Sequence, residues 1–402
     1  MTRRRVKVGD LGHVVTGDTP PKRKPEYYGS AYPFIKPTDM QIGCGYTYSF
    51  EECYSEEAFE KYKKKLIPPG ATAVVTIGSI GQKLTLTHTA CFVNQAVNAV
   101  IPNTSRFDNL YVYYLLRHNL HLVKSADTGA SSGRENVSKS NFSGLEVVAE
   151  LDKDTQCRIA TTLSAYDDLI ENNQRRIKLL EEAARRLYRE WFVALRYPGH
   201  ERVKVVDGVP QGWERLALSQ AIEINPRTRA NDDEKHPFVP MQALSESSMV
   251  VTDYEMRTPT GAKFRNGDTL LARITPCLEN GKTGFVQFLA GDDEMASGST
   301  EFIVMRSPAN GSPHWVYCLA RDESFRDHAI RSMVGSDGRQ RVNTKLFDQY
   351  LVLTPPEGVF AKFDRVVKPL FQQIHTLALQ SNALKQARDA LLPRLMSGAL
   401  AV

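Results

Sequence analysis

Several short runs in this 402-residue chain hold residue types that could do chemistry, and each can be tested against the spacing that the chemistry needs. Gly281-Lys282-Thr283 has the ending of a phosphate-binding loop, but the glycine required five positions before Gly281 is Pro276. Asn225-Pro226 opens like an amino-methyltransferase motif. Arg227-Thr228, however, stands where a proline and an aromatic would clamp a flipped base, and no Gly-rich S-adenosylmethionine loop precedes it. Asp232-Asp233-Glu234-Lys235 is contiguous, unlike the dispersed acid–acid–lysine set of a metal nuclease, and reads as a solvated loop. His118 and His121 share a helical turn with no third ligand nearby, so surface histidines are expected there rather than zinc ligands. No Ser-His-Asp or Cys-His set can be assembled. The chain is expected not to be an enzyme, with neither a metal nor a cofactor of its own.

The elements around these runs occur twice. Pro33-Phe34-Ile35 is echoed by Pro237-Phe238-Val239, 204 residues later. The strand-like Gly70–Val75 run is echoed at Gly267–Ala272 with a lag of 197. Gly133-Arg134, with Val137 and Phe142 behind it, is echoed by Gly338-Arg339 with Val342 and Phe347 at a lag of 205. Ile170, Leu180 and Leu187 return as Ile374, Leu384 and Leu391 at 204. Four echoes in one order at nearly one lag make a tandem duplication. Each half begins with short β-like runs (Ala73–Ile77, Ala96–Ile101; Thr269–Ile274, Glu301–Met305). A short helical stretch follows (Leu110–Leu120; His314–Asp322), then the Gly-Arg loop and one more strand. A long helix closes the half.

The first long helix is expected over about Lys153–Phe192. Ile159, Leu163, Tyr166, Ile170, Ile177, Leu180, Ala184, Leu187 and Trp191 step by threes and fours along it. The stripe skips at Asn173, which either fixes register or reaches the edge of the seam. The second stripe runs through Phe371 (or Leu370), Ile374, Leu377, Leu384, Leu391 and Leu395, with Pro369 expected at its start. Stripes this long need a partner, so the two helices are expected to pack antiparallel, like a coiled coil. The fold class is α+β, a duplicated mixed α/β domain with a helical spacer after each copy. The expected boundaries are 1–150, 151–195, 196–357 and 358–402.

Composition narrows the class without deciding it. The chain is 42% hydrophobic and 24% charged, with a net charge of +5. That permits nucleic-acid binding but does not demand it. No apolar run nears the roughly 18 residues of a membrane span, and Arg3-Arg4-Arg5 precedes no apolar signal core. Six scattered cysteines without a CxxC pair fit reduced thiols in the cytoplasm.

The helices also carry a resemblance. Arg158-Ile159-Ala160, Leu163-Ser164-Ala165, Asp167, Ile170-Glu171, Asn173, Leu180 and Arg189-Glu190-Trp191-Phe192 resemble the central conserved region of type I restriction-modification specificity subunits. Leu391-Leu392-Pro393-Arg394-Leu395-Met396-Ser397-Gly398 resembles the family's C-terminal signature, and Asp207-Gly208-Val209-Pro210 with Gly212-Trp213 the start of its second recognition domain. Gly29, then Tyr32-Pro33-Phe34-Ile35-Lys36-Pro37-Thr38-Asp39, is similar to the opening motif of its target recognition domains. The second half departs from that motif, with Pro237-Phe238-Val239-Pro240-Met241 and no Lys-Pro-x-Asp.

The resemblance implies a subunit that reads a two-part site on double-stranded DNA, one half-site per domain. The helices would set the spacing and dock two copies of a DNA methyltransferase subunit, with restriction subunits joining to cut. S-adenosylmethionine and ATP would be bound by those partners. The loops suited to reading in the first half carry Lys36 and Thr38, then Ser79, Gln82 and Lys83, then Arg134 and Asn136. In the second half they carry Arg273 and Thr275, then Lys282, then Arg339 and Arg341. Glycines allow close approach to a backbone, lysine and arginine hold phosphates, and arginine pairs with guanine through two donors. Arg134 and Arg339 stand out because they recur at one place, which also fits a turn that both halves need. Ile170, Leu180, Leu187, Trp191, Ile374, Leu384 and Leu391 are the expected partner-facing stripe. The competing class is a coiled scaffold that joins partners without reading DNA.

Overall fold

A computed structural model describes residues 3–43, 45–127, 135–229, 234–291, 294–336 and 338–402. Its contacts divide the chain into two units, residues 1–170 with 383–402, and residues 171–382.

In the first unit, strand Arg3–Lys7 pairs antiparallel with Glu146–Glu150. An antiparallel sheet follows the order Gly12–Thr16, Val97–Pro102, Thr72–Val75, Leu84–Leu86. Thr72–Val75 is buried on both faces, which is why it reads as a continuous small-apolar run instead of alternating. A second, mixed sheet has the order Tyr28–Gly29, Glu52–Tyr54, Tyr32–Ile35, Phe92–Val93, and its last two strands are parallel. Helix Asn109–His118 covers the first sheet, and the Asp108 carboxylate caps it by accepting the Tyr111 N–H at 2.9 Å.

The second unit repeats this plan. Glu214–Ala217 pairs with Leu351–Thr354. The antiparallel sheet runs Glu223–Ile224, Phe302–Arg306, Thr269–Ala272, Thr283–Phe285. Its mixed sheet again contains one parallel pair, His236–Val239 beside Ala296–Gly298. Helix Pro313–Arg321 is capped by Ser312, 204 positions after Asp108. The copies differ at one edge. Ala262–Phe264 pairs with the outer strand of the parallel pair here, whereas in the first copy Tyr28–Gly29 pairs with Glu52–Tyr54 at the opposite edge of the sheet.

Two long helices connect these elements, Lys153–Tyr188, continued by a π turn at Arg189–Val193, and Glu357–Ser397. In the first unit Ile159, Ala160 and Leu163 share a core with Leu392, Leu395 and Met396. In the second unit Ile177 and Ala184 share one with Phe371, Ile374 and Leu377. The pairing order reverses along the second helix, so the pair is antiparallel. Burying each of the larger apolar side chains contributes about 1.5–3 kcal/mol. Asn173 is 7% exposed, so it lies within the seam and not at its edge.

One expectation is corrected. The second helix begins at Glu357, and Pro369 lies inside it. Proline at 369 removes the N–H that the Arg365 carbonyl would accept. Both residues are exposed, so that carbonyl can turn to water while Phe360, Phe363 and Val367 extend the buried stripe upstream.

Candidate nucleic-acid interface

The loops singled out in each half converge through matching contacts. In the first unit the strand Thr72–Val75 runs into the 76–83 loop. There Ile77 forms an antiparallel bridge with Asn136. The Gly78 N–H donates to the Glu135 carbonyl at 3.2 Å, and the Val137 N–H to that of Thr76 at 2.9 Å. Lys83 Nζ donates to the Pro37 carbonyl at 2.8 Å, which brings in the turn that carries Thr38. In the second unit Ile274 bridges Arg341. The Thr275 N–H donates to the Gln340 carbonyl at 3.1 Å, and the Val342 N–H to that of Arg273 at 2.8 Å. Lys282 Nζ reaches the Met241 carbonyl at 3.3 Å, as Lys83 reaches Pro37. The same three loops are tied together in the same way in both copies.

Gly81 and Gly281 make this possible. Both have positive φ (+72° and +85°), and an added Cβ at either would press on the Leu120 or the Glu246 carbonyl. Arg321, which sequence reasoning missed, holds the second loop from beneath. Its Nη1 donates to the Gly281 carbonyl at 2.6 Å and to the Glu246 carbonyl at 3.1 Å.

The side chains differ between copies. In the first, Thr38, Gln82 and Asn136 are exposed and Ser79 is half-buried. Lys36 is not an open charge, because Nζ is 2.6 Å from Glu51 and 3.4 Å from Glu52. Arg134 lies outside the described residues. In the second copy Arg339 is exposed and Thr275 half-buried. Glu301, another residue the sequence did not point to, takes Arg341 side-on. Nε donates to Oε1 at 2.9 Å and to Oε2 at 3.0 Å, and Nη2 to Oε1 at 2.7 Å. Arg273 Nε lies 3.8 Å from the same carboxylate. The hydrogen bonds from Arg341 hold the Glu301 carboxyl below its ordinary 4.5, so it is ionised at neutral pH.

The rejected motifs are structural in this fold. Asn225, at φ +51°, donates its N–H to the Val304 carbonyl at 2.7 Å, and its Oδ1 accepts the Val304 N–H at 3.0 Å. Thr283 is fully buried, with its hydroxyl on the Gly281 carbonyl. No group of three or more His, Cys, Asp or Glu able to hold a metal occurs among the described residues. Asp232 and Asp233 lie outside them. No described helix is long and apolar enough to cross a membrane.

The helical stripe is placed differently from the expectation. Ile170, Trp191 and Ile374 are buried in the chain's own cores and have no surface to offer a partner. Leu180, Leu187, Leu384 and Leu391 are half-buried. The apolar side chains that the helices and the π turn leave open are Leu169, Leu179, Val193, Val366 and Leu379, of which Leu179 is 64% exposed.

Residues 4–182 match the family described as type I restriction modification DNA specificity domain. The chain is thus similar to type I restriction-modification specificity subunits. The type I restriction enzyme MjaIX specificity subunit of Methanocaldococcus jannaschii is 25% identical across 98% of this chain and 93% of its own length. The EcoEI specificity subunit of Escherichia coli is 33% identical over 41% of this chain and 30% of its own length. The crystal structure of a type I restriction-modification system S subunit from M. genitalium has the same fold. Its TM-score is 0.59 at 15% identity, over 98% of this chain and 96% of that one.

Proposed function

We propose that this chain is the DNA sequence-specificity subunit of a type I restriction-modification complex and reads a bipartite site with two recognition domains. The observation that carries this is the repeated loop junction with changed side chains. Ile77–Asn136 and Ile274–Arg341 are the same bridge, yet one copy presents amide and hydroxyl groups and the other guanidinium groups. A conserved frame with altered donors is what reading two different half-sites requires.

The recognition domains are residues 1–150 and 196–357, with 151–195 and 358–402 as helical spacers. The chain works in the cytoplasm and catalyses nothing itself. Two methyltransferase subunits dock on the spacer helices, and restriction subunits join them. S-adenosylmethionine and ATP are bound by those partners.

Substituting Asn136→Ala and Arg339→Ala separately in the complex with its methyltransferase tests the two-domain reading. Each is expected to relax methylation at a different half-site. Changes confined to the same half-site would refute the assignment.

A further inference from the structure

Resting on that reading, we propose that Arg341, oriented by Glu301, recognises a guanine in the half-site read by the second domain.

The argument begins with the guanidinium's five N–H donors. Glu301 occupies the side-on edge, accepting from Nε and from Nη2 at 2.7–3.0 Å. The end-on edge, Nη1 with the second Nη2 hydrogen, carries two parallel donors and has no partner among the described residues. The Arg341 side chain is 45% exposed, against 22% for Glu301, so the open edge faces outward while the carboxylate stays behind it. Two parallel donors match the O6 and N7 acceptors that guanine shows in the major groove. A guanidinium already fixed in plane loses less rotamer entropy on binding than a free one.

The backbone holds the pair in register. Arg341 sits on the bridge to Ile274, and the Arg273 N–H donates to the Glu301 carbonyl at 2.9 Å. The same hydrogen bond in the first domain joins Thr76 to Ala96 at 2.8 Å, and the bridge there carries Asn136. Arginine, glutamate and arginine in one copy thus replace threonine, alanine and asparagine in the other. Only the second half-site should respond to Glu301, and the first serves as an internal control. Glu301 is a positioning residue here, acting through Arg341.

The test uses the full chain purified with its methyltransferase subunit. Binding is measured to duplexes that carry the site mapped by methylation and every single-base change in it. The wild type is expected to discriminate for guanine at one position of the second half-site. Arg341→Ala should cut that discrimination roughly tenfold to a hundredfold at that position alone. Glu301→Ala should relax the same position by less, and Glu301→Gln, which keeps an acceptor, should restore part of it. Discrimination across the first half-site should not change in any variant.

Four results would overturn the proposal: a second half-site without a G·C pair, unchanged discrimination in Arg341→Ala, losses spread over both half-sites, or equal weakening on all sequences with a shallower salt dependence. The last would make Arg341 a phosphate contact. A wild-type complex without any two-part site would instead refute the specificity role itself.

Discussion

At the residue scale, Asp167 is a junction of charges. Its carboxylate accepts from the Tyr114 hydroxyl at 2.7 Å and from Arg117 Nη1 at 3.2 Å, and it also meets Arg388 Nη1. The Arg388 side chain is 4% exposed, and Asp389, the other anion on it, is 60% exposed. Removing one partner of a buried pair leaves an uncompensated charge, which costs about 3–5 kcal/mol. Asp167→Ala is therefore expected to lower unfolding free energy by about that amount in denaturant titrations. A loss under about 1 kcal/mol would mean that Asp389 and water suffice.

Two histidines make stability depend on pH. Burial pushes His118 and His375 below the ordinary 6.5, and His121 adds to the effect on His118. Their neutral forms are favoured in the folded chain, so as pH falls through 6.5 the unfolded chain takes up protons first. Stability should decline as pH falls from 7 and level off below the folded-state values. Replacing His375 by Gln should flatten that decline in melting experiments at several pH values, and an unaltered slope would refute its part. Of the chemistry at this scale, the Arg341 and Lys282 loops were legible because glycine and basic residues mark them. Glu301 was not. It lies 40 residues before Arg341, and their meeting depends on how Phe302–Arg306 registers against Thr269–Ala272.

At the scale of elements, the helical stripes were legible because their period is long, but their assignment to a partner was not. Periodicity says that a face is covered, not what covers it, and here the chain's own cores cover Ile170, Trp191 and Ile374. The early start of the second helix escaped for a different reason. Proline at 369 reads as a boundary, yet on a solvated face its missing donor is tolerated. The open Leu179 is the better probe of docking. Leu179→Asp should weaken association with the methyltransferase in native mass spectrometry while shifting stability by no more than about 0.5 kcal/mol. Ile374→Asp should instead destabilise the fold, because it buries a charge. Full assembly of the Leu179 variant would move the docking surface off this face.

At the scale of the whole molecule, the duplication was visible in four short echoes, and the lag of 197 among lags of 204 and 205 marked where the copies differ in length. The two copies share strand order in the antiparallel sheet, the parallel pair and the capped helix behind them. The edge strands were not legible, because Tyr28–Gly29 and Ala262–Phe264 are too short to show a pattern. The central claim is that these copies read two half-sites at a fixed separation. Its most direct test is co-expression of the chain with its methyltransferase subunit, followed by mapping every methylated base in the host DNA. A two-part motif with a constant gap is the expected result. A short continuous motif, or no methylation despite a stable complex, would contradict it.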